Sequence, residues 1–445
     1  MKRLALFIVF LLMAFPLWAA TYYVRTDGHD AATGVNDTTN ASTGAWLTLS
    51  KALTTATAGD TVLFHGGTYA QGTNPALAVT HGGTADDDSH RVIFKAYPGE
   101  TPDITGTVTA SGGAGKMLIA LGTPYVTFDG LSFHVGGFNQ DENFIFGVGY
   151  DGDSHHFVVK NCHLHMTSQA SGSNIDLIVF FNSDNTNYNN YSLIYNNDLE
   201  GPDTGSGGAV LIYSAGTGNR GIKILNNNIN GLAVAINCKH PNCDTSRASG
   251  AEWAYNYIYN ISYAGIAGWL KWVNVHDNII DTDRFAIKFT NGGTGCGCCD
   301  GALVNHNTIH GSYNIDSDAV GFSGGTVTNN VWAYCFGGSC QNNESYAANG
   351  TWSYNLRTPS YSTWPSGSNE ISGNPTYIGG SHPSTVAGFA LTTSSRGEYA
   401  HMGEGGSDGR DRGADVTLVG VSPSGSTPTA PTSVPTVGVG GFRTW

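Results

Sequence analysis

A right-handed parallel β-helix is the fold class that this sequence predicts, and three observations support it. One motif recurs along the chain: an apolar residue, an Asn three positions later, and another apolar residue two positions after the Asn. The apolar segments of each copy are too short to bury their own faces, so the copies must stack on one another. Glycine accounts for 61 of the 445 residues, which suits a chain with many tight corners.

Six copies of the motif follow one another in the middle of the chain. They are Ile194/Asn197/Leu199, Ile224/Asn227/Ile229, Trp253/Asn256/Ile258, Val275/Asn278/Ile280, Val304/Asn307/Ile309 and Val327/Asn330/Trp332. The Asn residues are 30, 29, 22, 29 and 23 positions apart, which suits a coil with a constant core and turns of varying length. Weaker copies are Val126/Asp129/Leu131, Val159/Cys162/Leu164 and Trp352/Asn355.

Stacked coils place equivalent residues about 4.8 Å apart. We therefore expect the Asn side chains to form a ladder of amide hydrogen bonds along the axis of the coil. The alternative is that Asn recurs only because it favours turns. A turn preference does not explain the fixed apolar positions on both sides of each Asn.

The first twenty residues have the pattern of an export signal. Lys2 and Arg3 precede an apolar run at 4–15, and the small residues Ala19 and Ala20 follow. The run is short for a membrane span. We expect a secreted, periplasmic or cell-surface protein that does not enter a membrane after cleavage.

Eight cysteines are compatible with an oxidising compartment. Pairs that are close in sequence predict local disulfides, and these are Cys238 with Cys243 and Cys335 with Cys340. Three more, Cys296, Cys298 and Cys299, crowd one Gly-rich loop, where disulfides are favoured and a metal site is the alternative. Cys162 falls in the Asn column and is predicted to be a buried thiol.

Residues 21–420 are predicted to form one β-helix domain, and 421–445, rich in Pro, Ser, Thr and Gly, a flexible tail. Near the start, Leu49, Ala52, Leu53 and Ala56 form a helical apolar stripe. A short helix here would cap the first coil, whose strand edges are otherwise bare.

Both ends of the chain resemble a known group. TYYVRTDGHDAATG (21–34) and WLTLSKALTTATAGDTVLFHGGTY (46–69) are similar to the opening of secreted bacterial right-handed β-helix proteins with the pectate-lyase-like superfold. Asn374-Pro375, 389–397 and 411–414 are similar to the closing coils of that group. The resemblance implies the architecture but no single activity, because this scaffold carries lyases, hydrolases, epimerases, adhesins and spike proteins.

A second strand in most coils supplies a candidate glycan groove. Its predicted inward residues are Ile178, Val210, Ile236, Ile266, Ile287 and Val320. Alternation along a strand points the residues one and three positions later outward. One face would then present Phe181, Tyr213, Trp269, Asn237, Lys239 and Lys288. Aromatic rings stack on sugars and cations hold acidic groups, so we expect a polysaccharide or glycan there; the alternative is that loops cover this face as satellite core.

Acidic residues before that strand predict a cation site. Asp283 and Asp316 each lie four positions before a predicted inward residue, so they would stack about 5 Å apart on adjacent coils. Carboxylates that close repel unless a cation lies between them, and oxygen clusters suit Ca²⁺. Asp281 and Asp318 would complete the site; the alternative is that all are solvated turn residues.

These residues could support β-elimination or hydrolysis of an extracellular polysaccharide. Lys288 or Lys239 would be the base, Arg284 would hold substrate charge, and Asp316 with Asp283 would be the Ca²⁺ or acid pair. The alternative function is a non-catalytic adhesin, spike or envelope component. The net charge of −14 argues against nucleic acid as a partner.

The histidines are scattered along the sequence. His163 and His165 share one face of a strand, but no third metal ligand is evident beside them. Turn and surface roles are therefore expected for the histidines.

Overall fold

The computed structural model describes residues 19–111, 114–138, 142–150, 152–169, 175–182, 191–202, 207–214, 220–239, 250–289, 301–317, 325–333, 350–359, 367–392 and 412–420. Within these ranges the strands, numbered β1 to β31 in chain order, pair in parallel from coil to coil. They form three stacks, each contributing one strand to a coil. The predicted parallel β-helix is confirmed.

The first stack has twelve members. They are β1 (Thr21–Val24), β2 (Thr61–Phe64), β5 (Val92–Ala96), β8 (Val126–Asp129), β11 (Val158–Lys160), β14 (Leu193–Tyr195), β17 (Lys223–Leu225), β20 (Glu252–Ala254), β23 (Asn274–His276), β25 (Leu303–Asn305), β27 (Thr326–Thr328) and β29 (Thr351–Ser353).

The second stack follows the Asn corner of each coil. It comprises β3 (Gly67–Thr73), β6 (Pro102–Thr107), β9 (Ser132–Gly136), β12 (His163–Met166), β15 (Asp198–Glu200), β18 (Asn228–Asn230), β21 (Tyr257–Ile261), β24 (Ile279–Phe289), β26 (Thr308–Ser317), β28 (Val331–Ala333), β30 (Leu356–Arg357) and β31 (Ile371–Ser372).

The third stack comprises β4 (Leu77–Val79), β7 (Met117–Leu121), β10 (Phe144–Val148), β13 (Asp176–Asn182), β16 (Gly208–Ser214), β19 (Val234–Cys238) and β22 (Ala264–Gly268). It then continues into the long strands β24 and β26, whose N-terminal parts belong to the second stack. The second and third stacks therefore form one continuous sheet.

The asparagine ladder is confirmed and is a complete chain of hydrogen bonds. Each Nδ2 donates to the Oδ1 of the next Asn at 2.9–3.0 Å, through Asn197, Asn227, Asn256, Asn278, Asn307, Asn330 and Asn355. The backbone N–H of each member donates to the same oxygen of the next. All seven side chains are buried, so the amides satisfy backbone groups that no water reaches.

The residue just before each ladder position adopts left-handed backbone geometry. In eight coils its φ lies between 51° and 59°, at Asn161, Asn196, Asn226, Tyr255, Asp277, His306, Asn329 and Tyr354. Three of these form a second, outer ladder: Asn226 donates to Asn196, Asn196 to Asn161, and Asn161 to Asp129. This outer ladder was not predicted from the sequence.

The ladder column extends to the coil before Asn197, and one predicted member of the column must be corrected. Cys162 occupies it as predicted, as a free and buried thiol whose backbone N–H donates to Oδ1 of Asn197 at 3.0 Å. Burial raises the pKa of the Cys162 thiol to about 12. Asp129 is not in the column, because it pairs with Lys160; Leu131 takes the ladder position instead.

The predicted helix α1 spans Leu49–Thr55. Thr48 caps it, its side chain accepting from the backbone N–H of Lys51. Leu49, Ala52 and Leu53 lie in the main core, as their helical spacing predicts. The capping role of α1 stays a prediction. No helix among the described residues is long and apolar enough to cross a membrane.

C-terminal segments cover the outer face of the second stack in the later coils. Phe389, Tyr377 and Val419 pack with Tyr257 and the outward apolar residues of the strands that follow it. The backbone of 413–420 bonds to the corner residues Asn329, Asp277 and Tyr255. Of the predicted disulfide partners, Cys243, Cys296, Cys298, Cys299, Cys335 and Cys340 lie outside the described residues, as does the predicted tail 421–445. These pairings stay predictions.

Candidate functional site

The outer face of the third stack is the surface that the sequence singled out, and the structure defines two rows of outward residues on it. Row A contains Met117, Phe144, Asp176, Gly208, Val234, Ala264 and Phe285. Row B contains Ala120, Gly147, Val179, Leu211, Asn237, Ala267 and Lys288.

Half of this face is an apolar cluster separate from the main core. Met117, Ala120, Phe144, Val179 and Leu211 are buried together. The half-buried rings of Tyr150, Phe181 and Tyr213 pack along the edge of this cluster. The sequence left two alternatives for this face, a small buried apolar cluster or an aromatic surface. Both occur here.

The predicted substrate-binding residues separate into two groups. Phe181 and Tyr213 are backbone partners on neighbouring coils, with ring centroids 6.5 Å apart, and Asn237 is half-buried nearby in row B. Trp269 is only 8 % exposed and belongs to the main core cluster. The prediction that Trp269 offers a surface for stacking is wrong, because its ring is enclosed.

Asp176 is the residue of this face that the sequence did not reveal. It lies two positions before the inward Ile178, in row A, beside Phe144 on one coil and Gly208 on the next. The residue is 4 % exposed, and Oδ2 is buried without a hydrogen-bond partner among the described residues. Burial raises the pKa of Asp176 to about 7, while the charge of Lys239 opposes the shift.

One glycine makes room for this carboxyl group. A β-carbon on Gly208 would collide with Oδ1 of Asp176. Beside it, a β-carbon on Gly207 would lie 3.1 Å from Oε1 of Gln169, a second buried oxygen with no hydrogen-bond partner among the described residues. The notch at Gly208 holds the Asp176 carboxyl, and the Gln169 oxygen lies beside Gly207. A buried acceptor without a partner costs about 1–3 kcal/mol unless a donor reaches it.

Cations flank the aromatic edge of the face. Lys116 Nζ lies 5.3 Å from the ring centroid of Tyr150 and 5.0 Å from that of Phe181, and it contacts Glu142 at 2.7 Å. Lys239, a predicted base, is exposed at the end of β19. The combination of half-buried rings, lysines and an unsatisfied carboxyl suits a ligand rich in hydroxyl groups with some negative charge.

The other two predicted catalytic cations lie together, several coils away. Lys288 Nζ is 5.1 Å from the ring centroid of Tyr263 and 4.9 Å from that of Phe285. The guanidinium of Arg284 lies 4.9 and 5.1 Å from the same rings. Lys288 is 8 % exposed whereas Arg284 is exposed, so only Arg284 presents its charge openly to solvent.

The backbone register does not place Asp283 and Asp316 at equivalent positions on adjacent coils. Ile287 pairs with Ile315 rather than Val320, so Asp316 is the partner of Lys288. Asp283 lies in a register irregularity between Thr282 and Phe285, and Asp281 bonds to His310 at 2.8 Å. The prediction that Asp283 and Asp316 stack was wrong because the coil is 28 residues long here, not 33. Asp318 and the side chains of Asp283 and Asp316 lie outside the described residues.

A third histidine lies beside the pair His163 and His165. His134, on the strand preceding that of His163 and His165, is the third imidazole that the sequence had not revealed. The available signal was the ladder position: His134 follows Leu131 by three residues, as His165 follows Cys162. Assigning the ladder position to Asp129 instead hid this relationship.

No family model matches the chain, and no curated protein matches it. The chain is similar to solved structures at low identity. One is XylC with xylose, at 13% identity and a TM-score of 0.44 over 80% of this chain and 71% of that one. Pectate lyase Pel9A is 14% identical, with a TM-score of 0.43 over 76% of this chain and 80% of that one. A rhamnogalacturonan lyase is 15% identical, with a TM-score of 0.46 over 76% of this chain and 87% of that one. Likeness at this level concerns the fold alone.

Proposed function

We propose that this protein cleaves a polysaccharide held across the outer face of the third stack, with Asp176 as the proton donor. The observation that carries the proposal is the buried carboxyl of Asp176, which has no hydrogen bond from the described residues and a pKa raised to about 7. A carboxyl that is partly protonated at neutral pH can act as a general acid.

The surroundings of Asp176 fit a sugar chain. Phe144 lies beside it, and the Phe144 and Phe181 ring centroids are 5.3 Å apart, which connects the acid to the half-buried aromatic edge. Oε1 of Gln169 needs a donor, which a sugar hydroxyl can supply, and the protonated carboxyl of Asp176 can donate to a sugar oxygen. Lys239, which is exposed, supplies positive charge at the margin, which suits uronate carboxylates.

A proton donor serves both reactions that the sequence predicted. In hydrolysis the acid protonates the leaving glycosidic oxygen while a second carboxylate activates water. In β-elimination a base removes the proton next to the uronate carboxylate, and the same oxygen leaves with a proton. The two reactions differ in product: hydrolysis gives a new reducing end alone, whereas elimination also gives an unsaturated sugar.

The test is incubation of the purified mature chain with polygalacturonate, alginate and xylan, following new reducing ends and ultraviolet absorbance of unsaturated products. Asp176→Asn keeps the shape of the side chain but cannot donate an acidic proton, so we expect at least a hundredfold lower rate. Asp88→Asn, at an exposed carboxylate, is the matched control and should leave the rate unchanged.

Equal rates for Asp176→Asn and the wild-type chain would overturn the role of Asp176. No product from any of the three polymers, together with no binding of them in affinity electrophoresis, would overturn the function and favour a structural surface protein. Binding without cleavage would support polysaccharide binding by this protein but would overturn the proposal that it cleaves the polymer.

We also propose that residues 1–20 direct export. When the chain is expressed in bacteria, N-terminal sequencing of the exported protein should show that it begins at Ala20 or Thr21. An intact Met1 on exported protein would contradict the proposal.

A further inference from the structure

We infer that the outer face of the second stack carries a site for a divalent transition-metal ion, held by His134, His163 and His165 with Glu200. The site lies on strands β9, β12 and β15, apart from the Asp176 face, and it does not depend on the proposed function. Three successive coils each contribute to it.

Strand register brings the four ligands together. His134 pairs with His165, and His165 pairs with Glu200, so these three residues form one outward row. Ser132, His163 and Asp198 form the neighbouring row on the same strands. Parallel coils are about 4.8 Å apart, which brings side chains of adjacent coils within reach of one ion.

The side-chain geometry confirms this proximity. One ring nitrogen from each of the three histidines lies within 4.8 Å of the others, and His163, Asp198 and Glu200 meet the same limit. Nε2 of His163 is 3.0 Å from Oε2 of Glu200. A tetrahedral zinc ion with bonds of about 2.0–2.2 Å needs donor atoms about 3.4 Å apart, so small side-chain rotations would close the site.

A second carboxylate already orients one ligand. Nδ1 of His134 lies 2.6 Å from Oδ1 of Asp103, on the preceding coil. This contact directs Nε2 of His134 away from Asp103, and metal-binding histidines commonly donate their other nitrogen to a carboxylate in this way. On the opposite side, Nδ2 of Asn228 holds Oδ1 of Asp198 at 2.8 Å.

The types of donor atom indicate which metal would bind. Three imidazoles with carboxylates form a nitrogen-rich donor set, which favours Zn²⁺, Ni²⁺ or Cu²⁺ over Ca²⁺ or Mg²⁺.

Isothermal titration of the purified, chelator-treated mature chain with ZnCl₂ tests the site. We expect one ion per chain with micromolar or tighter affinity, and no heat with CaCl₂. His134→Ala and His165→Ala should each weaken binding at least tenfold. Asp103→Asn should weaken it about 10- to 100-fold by releasing the orientation of His134. His90→Ala, at an exposed histidine outside the site, is the control and should bind like the wild-type chain.

Thiols elsewhere in the chain could also bind zinc, so a second measurement must identify the side chains that bind the ion. Co²⁺ bound by imidazole and carboxylate should show visible absorption without a thiolate charge-transfer band. Absence of Zn²⁺ binding would overturn the inference, and so would a thiolate band in the Co²⁺ spectrum. Circular dichroism would first show that His134→Ala and His165→Ala are folded. Unchanged Zn²⁺ binding by these two variants would then also overturn the inference.

Discussion

Asp176 and Gly208 are backbone partners on neighbouring coils, and the missing side chain of Gly208 provides the space that the Asp176 carboxyl occupies. A side chain at position 208 would meet Oδ1 of Asp176 on one side and the carbonyl oxygen of Val234, at 3.2 Å, on the other. The conformation of the proposed acid therefore depends on a residue that makes no polar contact with it.

Gly208→Ala should destabilise the protein by about 1–3 kcal/mol, as overpacking of a well-filled site does. Part of that loss should be recovered in the double variant Asp176→Ala/Gly208→Ala, because the carboxyl that collides is then absent. Chemical denaturation of the four chains in this double-mutant cycle measures the coupling. Strictly additive effects would show that the two positions do not share the notch.

Asp176 should also make stability depend on pH. Its pKa is about 7 in the folded protein against 3.8 ordinarily, so the folded chain binds more protons between these values and its stability falls as pH rises through them. Asp176→Asn removes this loss, so its melting temperature should exceed that of the wild-type chain more at pH 8.5 than at pH 4. A constant difference across this range would contradict a raised pKa.

Asn256 should be indispensable to the asparagine ladder. Its side chain donates to Asn278 and to the carbonyl of Ile224, and it accepts from both the backbone and the side chain of Asn227. Asn256→Ala leaves the buried Asn227 N–H without its acceptor and removes the side-chain donors to Asn278 and to the Ile224 carbonyl, which should cost about 2–4 kcal/mol.

The matched control for this variant is Asn36→Ala, at an exposed Asn outside the ladder, which should stay within about 0.5 kcal/mol of the wild-type chain. Urea denaturation measures both variants. Similar losses of stability in the two would show that the ladder contributes nothing beyond an ordinary surface amide.

Acid should weaken a cluster on the first stack. Glu252 lies 3.0 Å from Nε2 of His276 and 2.9 Å from Nζ of Lys223. The hydrogen bond from His276, with that from Lys223, lowers the pKa of Glu252 to about 2 despite partial burial. Its stabilisation is therefore present above its ordinary pKa of 4.5 and is lost as pH falls from there towards 2.

The partner His276 titrates in the opposite sense. Burial lowers its pKa, but hydrogen bonds to Asp277 and Glu252 outweigh burial and raise it overall. Its stabilisation is complete below its ordinary pKa of 6.5 and is lost as pH rises through the higher folded value. Glu252→Gln should flatten both limbs of the melting temperature against pH, whereas Asp88→Asn should leave the profile unchanged; an identical profile for Glu252→Gln would rule out this account.

Some of the site was predictable and some was not, for a shared reason. Phe181 and Tyr213 were predicted to be neighbours because they hold equivalent positions around the inward residues Ile178 and Val210, whose pairing is confirmed. Asp316 was misplaced because the coil from Ile287 closes at Ile315, and the sequence contains an equally apolar alternative at Val320. A solenoid with variable turns cannot be aligned by apolar pattern alone once a coil offers two inward candidates.

The sequence by itself determined the β-helix, the Asn column and the helix at Leu49–Thr55, because each follows from local spacing of apolar and amide side chains. Only the tertiary structure decided which polar residues meet on the outer faces, such as His134 with His165 and Glu200, or Asp176 with Gly208. These partners are separated by 31, 35 and 32 residues respectively. Their meeting depends on the summed length of the intervening turns, which apolar periodicity does not constrain.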